Sequence, residues 1–175
     1  SFPVGTECKV THEADADVAG HVLKTDGLNT TVTLKEGKVA DNIATVTNTY
    51  TQKIGTFQMK KLINAPADDA AFVAPKTVKF TYTCNADSVD KTVKADVATE
   101  VSVPVGDTPV DGSEFPVGTK CTVAQESEYT VAGYNSVPAG LTQPVTITKG
   151  KVAENIATVT NTYTKQVSSF SVTKV

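Results

Sequence analysis

Three features of this sequence predict an all-β fold: immunoglobulin-like β-sandwich repeats in tandem. Threonine and valine dominate it, residues that favour pleated, half-buried strands, and strong amphipathic helical runs are absent. Short alternating stretches, punctuated by Gly, Pro, Asn and Asp, recur along the chain. Whole segments also return at one fixed offset.

The offset sets the organisation. Phe2-Pro3-Val4-Gly5-Thr6 returns as Phe115-Pro116-Val117-Gly118-Thr119, and Ile43 through Thr51 returns unchanged as Ile156 through Thr164. Both pairs lie 113 residues apart, a domain-sized period rather than the short unit of a solenoid. Residues 1–55 then match the second half of a unit, 56–168 form a complete β-sandwich repeat, and 169–175 resemble the first strand of the next. Ser1 in place of Met fits either a mature secreted chain or an excised fragment.

Within the complete unit, Val78, Phe80, Tyr82 and Cys84 share one strand face while Lys79, Thr81 and Thr83 take the other. Phe57, Met59 and Lys61 alternate likewise, as do Val159, Asn161 and Tyr163. Further strands are expected at 90–95, 98–105, 118–125, 128–134 and 143–149. Turn signals separate them, as at Asn64-Ala65-Pro66, Gly106-Asp107-Thr108-Pro109 and Pro138-Ala139-Gly140. Roughly seven to nine short strands in one unit suit a two-sheet sandwich, here without the buried tryptophan of antibody domains.

Cys8 and Cys121 occupy equivalent positions, so the complete unit holds one pair, Cys84 and Cys121, each on an inward face. We read the pair as a disulfide, which would close a loop of about 38 residues and contribute ~4 kcal/mol. The alternative is two buried thiols. Cys8 would find its partner in the first half of its own unit. Neither the cysteine spacing nor His12 and His21 make a four-ligand metal set, and no cofactor is expected.

Lys61 falls on the face read as buried, and an isolated buried ammonium must find a partner or lose its proton. It recurs as Lys174, and Asn161 recurs as Asn48. Were the first and last strands neighbours, Lys61 and Asn161 would meet.

The motif Phe-x-Val-x-Lys-Val at 170–175 and Val-Thr-Asn-Thr-Tyr at 159–163 resemble the CnaB-type domains of Gram-positive surface adhesins and pili. With Phe80-Thr81-Tyr82-Thr83-Cys84 and Gly118-Thr119-Lys120-Cys121-Thr122-Val123 added, the unit resembles a cysteine-bearing repeat family of unknown function in actinobacterial cell-surface proteins. In the CnaB family an inward first-strand lysine condenses with a last-strand asparagine, assisted by a buried acid. The resemblance implies an isopeptide between Lys61 and Asn161. Its acid would continue the inward row of Cys121 and Val123, which lands on Gln125, or on His12 in the first copy. Glu126 and Glu13 are one residue out of register, so Glu126 is the candidate acid only if a β-bulge turns it inward.

Other patterns carry less. Asn29-Thr30-Thr31 matches a glycosylation acceptor but reads as a loop. Glu126 and Glu128 lack a nucleophile–base set, and Asp68, Asp69, Asp87 and Asp90 lack an ordered calcium loop. The 16 cationic residues are all lysine and the net charge is −3. Without arginine forks or a basic stripe, nucleic acid is not an expected partner. No stretch approaches the roughly 20 apolar residues that cross a bilayer.

The sequence therefore points away from an enzyme. It points to an extracellular, cell-surface stalk or spacer, stapled by a covalent crosslink, whose partners are neighbouring repeats and other copies in a filament. The alternative is an adhesive module recognising a host protein or glycan through its loops. Loops 13–31 and 126–144 differ more between copies than the flanking strands do, which favours the spacer.

Overall fold

A computed structural model of the chain describes residues 1–11, 17–37, 39–67, 69–126, 128–149 and 153–174. It divides into two compact units, Ser1–Lys53 and Ile54–Val175. His12, Glu13 and Asp68 lie outside the described residues.

The first unit holds β1 (Glu7–Lys9), β2 (His21–Asp26), β3 (Thr31–Thr33) and β4 (Thr47–Gln52), with one 3₁₀ turn at Val39–Asp41. Two antiparallel pairs form, β1 with β3 and β2 with β4. Asn29 stands in a tight turn with φ of 63°, in keeping with its reading as a loop.

The second unit contains β5 (Ile54–Gly55), β6 (Gln58–Asn64), β7 (Thr77–Cys84), β8 (Thr99–Pro104), β9 (Val110–Asp111), β10 (Phe115–Pro116), β11 (Lys120–Gln125), β12 (Tyr134–Ala139), β13 (Thr142–Thr146) and β14 (Ile156–Lys165). Its boundary lies two residues earlier than the repeat suggested, because Ile54 and Gly55 pair with Pro116 and Phe115. Two four-stranded sheets form, ordered β13-β11-β7-β8 and β12-β14-β6-β9. The fold is an all-β, immunoglobulin-like sandwich. Its first long strand, β6, and last strand, β14, run parallel side by side from Gln58↔Ile156 to Asn64↔Thr162.

The pleat explains the core. Inward residues of both sheets, among them Met59, Phe80, Tyr82, Val103, Val123 and Val159, make one buried cluster. At its centre the Phe57 ring meets Tyr82 edge-on at 5.0 Å and Phe115 at 6.4 Å. Gly112 lies against that ring: a Cβ there would sit 2.4 Å from a Phe57 carbon. Since Phe57 is fully buried between two other rings, it cannot swing away. Gly112→Ala is expected to cost about 1–3 kcal/mol, seen as a lower urea midpoint.

Two expected strands are absent. Residues 90–95 form turns, because Asp90 accepts the Thr92 backbone N–H (3.1 Å), Asp87 accepts that of Ala95 (2.9 Å), and Lys91 has φ of 62°. In place of 128–134 the strand begins at Tyr134 and runs through Pro138. Proline is tolerated there because β12 is an edge strand, where one N–H need not enter the ladder. Residues 169–174 adopt no strand, and Phe170 is 90% exposed.

Candidate functional site

The second unit concentrates its chemistry at two places, one in each sheet. In the first, Cys84 of β7 and Cys121 of β11 face each other in register and are joined by a disulfide. The next pair outward, Asn85 and Lys120, is hydrogen-bonded, with Asn85 N–H donating to the Lys120 carbonyl at 3.0 Å. Cys84 and Cys121 therefore occupy a non-hydrogen-bonded pair, where Cα atoms approach most closely, here to 4.0 Å. Cys8, half-buried, is a free thiol paired in register with Val32, as Cys121 is with Val145.

The second place lies on β6 and β14. Lys61 follows Phe57 and Met59 in the inward row of its strand, while Lys60 turns outward to an ion pair with Asp107 at 2.8 Å. Asn161 follows Ala157 and Val159 in the inward row of β14. Because Lys61 lies opposite Val159 in the parallel ladder, its long side chain reaches the next inward position, Asn161. Lys61 Nζ donates to Asn161 Oδ1, and both residues have no exposed surface. Burial pushes the Lys61 ammonium down to about 8. Asn161 Nδ2 donates in turn to Ser136 Oγ of β12 at 3.0 Å.

Glu126 does not join this group. It is exposed, just past the end of β11, and its backbone N–H continues the ladder to the Lys79 carbonyl. No bulge turns it inward: β11 pairs one-for-one with β7 through Gln125↔Phe80, and Gln125 is the buried residue. Among the described residues, the buried polar side chains include no aspartate or glutamate. Glu128 is also exposed.

A pH effect follows from the buried lysine. While Lys61 is a free amine, the unfolded state holds its proton up to about 10.5 and the folded state only to about 8. Asn161→Ala keeps the amine free with the same direction of shift, since burial is its cause. Between those values the unfolded state binds more protons, so stability rises with pH. The full gain is roughly 3 kcal/mol, and denaturant titrations from pH 7 to 10.5 should show a slope that Lys61→Met lacks.

Sequence reasoning missed three polar residues. Besides Ser136, Asn155 is buried at the entry to β14, donating to the carbonyls of Thr56 (3.0 Å) and Thr148 (3.2 Å). Asn42, 113 residues earlier, grips the Lys35 backbone in the same way, so the repeated Asn-Ile-Ala-Thr-Val-Thr-Asn carried that signal. Gln143 of β13 bonds both the carbonyl and the N–H of Thr158 on β14 and so ties one sheet to the other.

A sandwich with a cross-strand disulfide in one sheet and a buried lysine–asparagine contact in the other defines a stapled β-module. The chain belongs to the family described as a domain of unknown function, DUF5979, whose model matches residues 1–51 and 57–164. No curated protein matches it. Solved structures with similarity include a Mobiluncus mulieris adhesin containing intramolecular disulfide, isopeptide and ester cross-links. That match has 17% identity and a TM-score of 0.37, over 67% of this chain and 44% of that one. The major pilin T3.2 of Streptococcus pyogenes gives 16% and 0.34 over 87% and 65%. Another Streptococcus pyogenes major pilin structure gives 16% and 0.36 over 91% and 69%. The chain thus spans less than half of the adhesin and about two thirds of the pilins.

Proposed function

We propose that this chain is a structural spacer, part of the stalk of a bacterial cell-surface adhesin or pilus-like filament, and not an enzyme. The observation that carries the reading is the parallel contact of first and last long strands, with Lys61 against Asn161 between them. Force applied to the ends of such a unit shears β6 against β14 along their length, and a bond between the two strands takes that load directly. The disulfide closes the other sheet. Successive units of the same chain, and other copies in a filament, are the partners of such a spacer.

In this reading Lys61 and Asn161 condense. The neutral amine attacks the amide carbon, the new C–N bond forms, and nitrogen leaves as ammonia. Lowered basicity supports it, since at neutral pH a group titrating near 8 is partly unprotonated. Intact mass under reducing conditions is expected to fall short of the sequence mass by one ammonia, with a branched peptide joining Lys61 to Asn161. Lys61→Ala should show the full mass. The spacer role itself is tested by glycan arrays and surface-protein pull-downs with the full chain. Spacers bind nothing there, whereas reproducible micromolar binding would replace this reading with an adhesive module.

A further inference from the structure

We propose that Ser136 is the catalytic residue on the leaving-group side of the Lys61–Asn161 condensation, handing a proton to the departing amide nitrogen. The proposal rests on the reading that this pair condenses. It starts from the one part of the amide that Lys61 does not touch. Lys61 Nζ occupies the Oδ1 side of Asn161, and Ser136 Oγ occupies the Nδ2 side at 3.0 Å. These two contacts fix which end of the amide is oxygen, because the lysine nitrogen needs the acceptor and leaves the N–H₂ to face the hydroxyl.

Amide nitrogen is a poor leaving group until it is protonated. In the planar amide its lone pair is delocalised and Nδ2 can only donate, as it does to Ser136. Once Nζ has added and the carbon is tetrahedral, that lone pair localises and the same hydrogen bond can reverse. Ser136 Oγ–H then donates to Nδ2 as the Cγ–Nδ2 bond breaks. Nζ sheds one proton on becoming an amide, and that proton restores the hydroxyl. One C–N bond forms, one breaks, and one ammonia leaves, with no outside acid consumed.

The surroundings favour this assignment. Ser136 points inward from β12, in the row of Tyr134 and Pro138, and pairs in register with Tyr163. Among the described residues, the side-chain hydrogen bonds of Asn161 run to Lys61 and Ser136. The position 113 residues earlier holds Leu23, paired in the same register with Tyr50. The hydroxyl is thus a choice of the second unit rather than a demand of the strand pairing.

The test is the rate of ammonia loss by the full chain after cell-free synthesis, followed by intact mass under reducing conditions, with Lys61→Ala defining zero. Ser136→Ala is expected to slow the loss about a hundredfold, the low end for a positioned proton donor, and Ser136→Thr to restore most of it. Ser136→Leu, which copies position 23, should behave as the alanine variant and covers the case where alanine folds poorly. Melting of Ser136→Ala in the Lys61→Ala background, where no link forms, should match that of Lys61→Ala alone, which separates chemistry from packing. Wild-type rates in both Ser136→Ala and Ser136→Leu would overturn the role of Ser136 and leave the crosslink standing. A wild-type chain that never loses ammonia would overturn the crosslink and this proposal together.

Discussion

Replacing Cys84 and Cys121 together by serine is expected to lower the unfolding free energy of the second unit by about 4 kcal/mol. The bridge spans 37 residues and joins two neighbouring strands of one sheet, so its main effect is to restrict the unfolded chain. For a unit of this size the melting temperature should drop by roughly 12–20 °C. The loop it closes lies wholly between Lys61 and Asn161. If those two are joined, the unfolded chain is already restricted, and the double serine variant should lose less than it does in an Asn161→Ala background. Calorimetry on the four combinations measures that difference.

Phe57→Ala is expected to cost about 3–5 kcal/mol. Phe57 is fully buried, immediately before β6, with its ring between Tyr82 and Phe115. Tyr82 lies on the opposite sheet, so this side chain packs one layer against the other. Its loss also opens space in the cluster that holds Met59, whose inward row runs on to Lys61. The alanine variant should therefore show both a lower urea midpoint and incomplete ammonia loss, whereas a change at exposed Val137 should alter neither.

The inward rows were legible in the sequence because the strand period is two and the residues on each face differ in kind. Phe57-x-Met59-x-Lys61 and Val159-x-Asn161-x-Tyr163 read out as buried faces, and the structure buries all six. The lysine in that row was informative because an apolar residue would have been expected there. The false strand at 90–95 has a different cause: Asp87 and Asp90 capture backbone N–H groups at short range, which overrides the β preference of Thr92 and Val93. Tyr134–Ala139 was hidden by Pro138, whose meaning depends on whether the strand lies at an edge. Ser136 was invisible for a simpler reason. Nothing in a local pattern says which serine hydroxyl a residue on another strand will reach.

β4 is exposed along its length, whereas the equivalent inward residues of β14 are buried against the facing sheet of β7, β8, β11 and β13. The same strand sequence thus has two burial states, decided by what packs on it. Tertiary cover, not strand propensity, buries a face.

The central claim is that the second unit resists extension because its first and last long strands are joined. Single-molecule pulling on the full chain tests it directly, with reductant present to remove the disulfide. The account predicts no unfolding step from the second unit in the wild type, and a step of roughly 35–40 nm in Asn161→Ala, shortened by about 13 nm when the disulfide is left intact. A wild-type chain that gives the full-length step under reducing conditions would contradict it.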